Sequence, residues 1–306
     1  MLNTYYYTEA DCGIPLGCGG LRFDGVEERV QRPEDADLLL VPPTILYLQR
    51  NNLPPQTLRH MEQWPEKHVF FDVCDSYDCV PGLERCIIIR CVVDDSIVKT
   101  NPRTLANPWP ARDLTECLDY SDIQFDVSFV GWNSGPLRRV AAESCKQQFG
   151  DRAFVTLNRM FFANYSEAEQ RDMEATFKNF MRRSRVILDA PSIYYRTRSD
   201  ANSGFVTYRF YEAMSAGRVP AVCGKKPILP FANKIPWDDC YIHIPSDEAP
   251  LAGEHIADWL AKHDAFDVGM QNRLYWEMWL DSTYWPRLHR IMVEELLERE
   301  RTCKSS

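Results

Sequence analysis

The chain lacks any stretch that could cross a bilayer. Apolar runs such as Leu38-Leu39-Leu40-Val41 and Cys86-Ile87-Ile88-Ile89 are strand-length, against the roughly 18 to 20 residues a spanning helix needs. Surplus positive charge is also missing: 35 Lys and Arg stand against 44 Asp and Glu, a formal net charge of −9. That sign opposes attraction to a phosphate backbone or an anionic leaflet and argues against a nucleic-acid reader. The start, Met1-Leu2-Asn3-Thr4-Tyr5, has no basic and apolar signal pattern, so the sequence reads as one without an export signal or membrane anchor. None of the 11 cysteines forms a C-x-x-C pair, and Cys74/Cys79 and Cys86/Cys91 lack a matching histidine cluster. This points to reduced, mostly buried thiols and disfavours a zinc site. No G-x-G-x-x-G follows a strand, which disfavours a dinucleotide oxidoreductase. There is no block of like charge, no Pro/Gly/Ser tract and no internal repeat. What remains is 306 residues, 45% hydrophobic and 26% charged, enough for two folded domains.

Short β-branched or aromatic runs alternate with longer amphipathic stretches, the pattern of α/β domains with mostly parallel sheets. The first part predicts strands at Asp37–Pro42, His68–Asp72 and Cys86–Val93, with a helix around Thr57–Glu62. Pro102, Pro108 and Pro110 mark Asn101 to Asp113 as a linker or crossover, so the boundary is placed at about 118/119. The second part predicts a strand at Asp126–Gly131, a helix over about 135–149 and a strand at Ala153–Leu157. Ser166-x-x-Glu169 then caps a helix to about Arg183, followed by a strand at Arg185–Ala190, a helix Tyr208–Ala216 stopped by Gly217, and a strand Val219–Cys223. Residues 271–301 read as one long helix with Trp276, Trp279, Trp285, Leu288, Ile291 and Leu296 on its apolar face. The expected domains are 1–118, 119–275 and a terminal helix over 276–306.

The densest chemical signal runs from Thr207 to Val222. Arg209 and Glu212 lie three apart near a helix start, where backbone N–H groups and the dipole favour an anion. Such a site suits a diphosphate joined to a sugar, with Arg209 on the phosphates and Glu212 accepting from ribose hydroxyls. Taken alone, the spacing fits an i,i+3 surface ion pair equally well. Asp72 and Asp75 sit at the end of a first-domain strand, where ligands gather in open α/β sheets, and are candidate general bases. Capping a turn is the competing role. Glu9 and Asp11, beside Gly17-x-Gly19-Gly20, are rival carboxylates. His68 could line the same region. Trp132, directly after Gly131, could stack on a sugar or a base, or belong to the core. No D-x-D motif suited to a metal is found.

The segment R-x-x-E-A-x-x-x-G-x-x-P-x-V, here Arg209 to Val222, with Leu229-Pro230-Phe231 and Ile235-Pro236-Trp237 behind it, resembles the nucleotide-sugar half of the exostosin-like glycosyltransferases. Arg32 to Pro42 is similar to that family's acidic "PEEADLFFVP" segment, His68-Val69-Phe70-Phe71-Asp72 to its "HFFF…D" strand, and Ser128-Phe129-Val130-Gly131 with Arg138-Arg139 to its "FxG…R" opening. The resemblance runs from about residue 28 to 245. Two departures stand out: Ile193 to Asn202 is an insertion, and Arg218 replaces a common Cys. The resemblance implies a GT-B architecture, two Rossmann-like domains with mostly parallel sheets facing a cleft and a C-terminal helix crossing back. It implies inverting transfer of a sugar from a nucleotide diphosphate, such as UDP-xylose, UDP-galactose or UDP-glucuronate, to a hydroxyl of a glycan, without a metal or other cofactor. Donor residues carried by it are Gly131, Trp132, Arg138, Pro191, Ser203, Thr207, Tyr208, Arg209 and Glu212. His68 and Asp11 fall on the acceptor side, and Arg209 also serves the departing diphosphate. Free thiols and no anchor then imply a cytoplasmic enzyme of bacterial or viral type, or a trimmed form of an anchored one. An inactive exostosin-like subunit or glycan-binding protein, and a retaining GT-B enzyme, are the alternatives.

Overall fold

Two parallel sheets organise the chain. The computed structural model describes residues 3–7, 30–41, 59, 63, 68–72, 86–90, 93, 98–99, 101–106, 113–132, 135–158, 166–190, 207–226, 239–281 and 285–305. These fall into two units, residues 1–108 with 282–306, and residues 109–281.

The first unit holds β1 (Thr4–Tyr6), β2 (Leu38–Val41), β3 (His68–Asp72), β4 (Ile87–Arg90) and β5 (Thr104–Ala106), side by side in that order and all parallel. Side chains alternate across a strand. Leu38, Ile87 and Ile89 therefore share one face, where they pack with Val293 and Leu296 of the C-terminal helix, Trp285–Ser305. Leu39 and Ile88, pointing the other way, are buried too. Burial on both faces is why these strands read as unbroken apolar runs. Arg103 fastens the helix through its Nε to Glu300 Oε1 at 2.8 Å. The strand β5 corrects the reading of 101–113 as a linker. Its three residues lie between prolines and show no periodicity, yet they pair with β4, and Asn101 braces the turn by donating to the Cys86 carbonyl at 3.2 Å.

The second unit contains β6 (Phe125–Trp132), α1 (Pro136–Phe149), β7 (Ala153–Asn158), α2 (Glu167–Arg183), β8 (Ser184–Asp189), α3 (Tyr208–Ser215), β9 (Val219–Cys223), β10 (Ile242–Ile244), α4 (Ala252–Leu260) and α5 (Ala265–Tyr275). The sheet is parallel in the order β10-β9-β8-β6-β7. One face packs Val127, Phe129, Val186 and Leu188 against α1 and α4; the other packs Val130 and Ile187 against Phe177, Phe180 and Met181 of α2 and Ala213 and Ala216 of α3. This is a doubly wound, Rossmann-like α/β layer structure. No described helix is long and apolar enough to cross a membrane.

The division between units falls at 108/109, ahead of the expected 118/119. Side chains tie residues 113–120 to the second unit. The Leu114 N–H donates to Ser215 Oγ at 2.8 Å, and Arg273 reaches Asp113 at 2.9 Å, Thr115 Oγ1 at 2.6 Å and the Ser215 carbonyl at 2.6 Å. Burial works to raise the Asp113 pKa, but hydrogen bonds from Thr115 and Arg273 outweigh it and hold the carboxyl below its ordinary value. The long terminal helix is likewise interrupted. After α5 a π-turn spans Trp276–Leu280, and Asp281 turns extended with ψ 122°. Trp276 belongs to the second unit, whereas Leu288 and Leu296 belong to the first. One apolar stripe thus serves two cores, and the chain breaks between them.

Arg218 is 0% exposed and has no carboxylate bonded to it among the described residues. Its guanidinium donates to the carbonyls of Met181 at 3.0 Å, Arg182 at 2.6 Å, Cys117 at 2.6 Å, Asp119 at 3.1 Å and Gly217 at 3.4 Å, over the Tyr120 ring at 3.9 Å. Burial draws its pKa down, with Tyr120 acting against this. Two of these carbonyls close α2, where a positive charge is favoured by the helix dipole. Gly217, at φ +65°, ends α3 with paired bonds from the Gly217 N–H to Met214 O and from the Arg218 N–H to Ala213 O. Gly269 of α5 lies against that turn, where an added Cβ would meet the Gly217 carbonyl at 2.1 Å.

Replacing Arg218 with Met strands several buried carbonyls, so urea denaturation should show a loss of about 2–4 kcal/mol. Five described cysteines, Cys86, Cys117, Cys145, Cys223 and Cys240, are buried and Cys303 is exposed. Burial pushes the Cys145 and Cys223 thiols up to about 12. Peptide mapping after brief alkylation at pH 8 should find Cys303 modified and those five protected until the chain unfolds.

Candidate functional site

In an open parallel sheet, ligands bind beyond the C-terminal strand ends where successive connections leave in opposite directions. In the second unit that point lies between β6 and β8. From β6 the chain runs through α1 to β7 on one side; from β8 it runs through α3 to β9 on the other. The helices that follow, α1 and α3, pack on opposite faces of the sheet. Their N-terminal turns meet the ends of the two strands.

Five of the residues singled out in the sequence converge here. Gly131 lies near the end of β6, and the absence of a side chain leaves room for the Phe129 ring, since a Cβ at 131 would come within 2.7 Å of it. Arg138, in the first turn of α1, donates from Nε to the Ala190 carbonyl at 2.5 Å, just past β8. Thr207 caps α3, its Oγ1 accepting from the Arg209 N–H at 3.1 Å. Arg209 crosses to β6, donating from Nε to the Val130 carbonyl at 3.0 Å, and from Nη1 to Glu212 Oε2 at 2.5 Å. Its guanidinium carbon stands 4.5 Å from the centre of the Phe177 ring. The Arg209 and Glu212 side chains keep 20% and 7% of their exposure. They are therefore a half-buried, aromatic-backed pair and not the surface ion pair that spacing alone allows. Of five guanidinium N–H donors, two are engaged with described residues.

The sequence reading missed Asp189, the last residue of β8. Its carboxylate, 1% exposed, accepts from the Thr207 N–H at 2.9 Å and from the Thr207 hydroxyl at 2.7 Å. Burial raises its pKa, against the hydrogen bonds from Thr207 and the nearby charges of Arg138 and Arg209. The signal was available: the rule that picks out Asp72 at the end of a first-unit strand picks out Asp189 at the end of β8.

Other expected positions are less grouped. Trp132 closes β6 and Tyr208 opens α3, at the same strand and helix ends as the cluster. His68 and Asp72 are the first and last residues of β3 in the first unit. Asp11, Asp75, Pro191 and Ser203, with Glu9 and the Gly17-x-Gly19-Gly20 loop, lie outside the described residues.

A double-mutant cycle on Arg209→Ala and Glu212→Ala, read by urea denaturation, should give a coupling of about 1–3 kcal/mol. An exposed helical pair would give roughly 0.3–0.5 kcal/mol.

The chain matches no protein-family model and no curated protein in sequence. Among solved structures it is similar to Alr3699/HepE of Anabaena in complex with UDP, at 10% identity and a TM-score of 0.49, over 86% of this chain and 79% of that one. It is also similar to an alpha1,3-fucosyltransferase with GDP, at 13% identity and a TM-score of 0.40, over 90% and 81%.

Proposed function

We propose that the chain is a glycosyltransferase of GT-B type, resembling the exostosin-like family, that moves a sugar from a UDP-linked donor to a hydroxyl of a glycan or glycoconjugate with inversion. The observation that carries this reading is the pair Arg209 and Glu212 on the first turns of α3, at the point where the sheet of the second unit changes direction. A diphosphate needs positive charge and N–H donors, and Arg209 with the start of α3 supplies both. A ribose needs a hydrogen-bond acceptor, and Glu212 is three residues further along the same helix.

The chemistry follows from those roles. The acceptor hydroxyl attacks the anomeric carbon from the face opposite the diphosphate, a C–O bond forms as the sugar–phosphate bond breaks, and the hydroxyl proton passes to a base. Negative charge grows on the departing diphosphate, where Arg209 and backbone N–H groups stabilise it more than in the ground state. That division of labour needs no metal ion. Asp72, at the C-terminal end of β3, and Asp75 are the residues we assign to the base. Loops shape the choice of sugar, with xylose, galactose and glucuronate all compatible with the same diphosphate site.

Calorimetric and thermal-shift titration with UDP, GDP, ADP and CMP, with and without chelator, tests this. UDP at 100 times its Kd should stabilise the second unit by about 2.7 kcal/mol, chelator should leave the effect intact, and Arg209→Ala should abolish it. If no nucleotide binds, the reading gives way to an inactive, glycan-binding member of the same fold.

A further inference from the structure

We propose that Asp189 is a positioning residue for the nucleotide site: its carboxylate clamps Thr207 and thereby sets the start of α3, and with it Arg209 and Glu212, in the geometry that receives the diphosphate. The inference rests on the nucleotide reading above and adds a residue that does not itself touch the ligand.

The geometry is specific. Both carboxylate oxygens are used on one residue, Oδ2 by the Thr207 N–H and Oδ1 by the Thr207 hydroxyl. Having donated its proton to Asp189, the Thr207 hydroxyl has its lone pairs free to accept from the Arg209 N–H. A relay thus runs from the end of β8 into the backbone of Arg209, whose side chain returns to β6 through Val130. Both strands at the switch point are tied to one residue of α3. Burial raises the Asp189 pKa while Arg138 from α1 and Arg209 from α3 act against that, and among the described residues Cys223 of β9, its thiol pushed up to about 12 by burial with Asp189 adding to the shift, is a further titratable neighbour.

The arrangement is not what stability alone favours. Desolvation places the folded-state pKa of Asp189 above its unfolded value. Unlike the usual salt-bridged Asp, such a group makes the fold less stable as pH rises from the unfolded value of about 3.9 through the folded one. Asparagine, of the same shape, replaces one acceptor by a donor, so the bond to the Thr207 hydroxyl must turn round; the hydroxyl then accepts from the amide as well as from the Arg209 N–H and loses its own acceptor, which loosens the relay.

The test compares wild type, Asp189→Asn, Thr207→Val and Thr207→Ser by UDP calorimetry at pH 7.5, with urea denaturation of each. Asp189→Asn and Thr207→Val should each weaken UDP at least tenfold, the double variant should be little weaker than either, and Thr207→Ser should recover most of the loss. The urea midpoint of Asp189→Asn should equal or exceed that of wild type. UDP affinities within twofold of wild type in both Asp189→Asn and Thr207→Val overturn the proposal and leave the nucleotide reading standing. Losses of affinity that track losses of midpoint across the variants also overturn it, because the clamp would then be only structural. If wild type takes up neither UDP, GDP nor inorganic pyrophosphate, the nucleotide reading falls and takes this proposal with it.

Discussion

A full positive charge sits out of water on Arg218, and the second unit is built around satisfying it. Removing a guanidinium from solvent is costly unless its donors are met. Here they are met by carbonyls from the end of α2, from the turn after α3 and from the entry segment at Cys117 and Asp119. Those three pieces are far apart in sequence and come together only when the sheet, both helices and the entry segment are all in place. The planar fork of an arginine, with five N–H donors against lysine's three, can reach carbonyls spread over several segments at once. Arg218 therefore acts as a cross-brace. Arg273 likewise ties separate segments together, spanning Asp113, Thr115 and Ser215.

The consequence for the site lies in α3. A helix of eight residues is marginal by itself. This one is held at its C-terminal end by the Gly217 turn, Gly269 and the two arginines, and at its N-terminal end by Asp189 through Thr207. Pinned at both ends, it presents Arg209 and Glu212 without needing length. The C-terminal pins are built from backbone carbonyls and stabilise the fold. The N-terminal pin is a buried carboxylate whose pKa is raised by burial.

Much of the fold was legible because it is written in local periodicity. The strands β2, β3, β4, β6, β7, β8 and β9 coincide with apolar runs of strand length, and α1, α2 and α3 with amphipathic stretches bounded by Pro136, Ser166 and Gly217. The strands β1 and β5 were not legible, since three residues carry no period and only their neighbours make them strands. The break at Asp281 was hidden for the opposite reason: the apolar stripe continues through it, but the core that the stripe faces changes.

The sequence by itself determined the α/β alternation, the starts and stops of α1, α2 and α3, and the spacing that puts Arg209 and Glu212 on one helical turn. These follow from interactions within a few residues, which pattern and propensity report directly. The tertiary structure alone decided that this pair is half-buried against Phe177, that Arg138 braces Ala190, and that Asp189 and Arg218 are the residues on which the ends of α3 depend. A buried charge looks the same in sequence as a surface one. What distinguishes them is which distant backbone groups surround the charge, and only the folded chain brings those groups together.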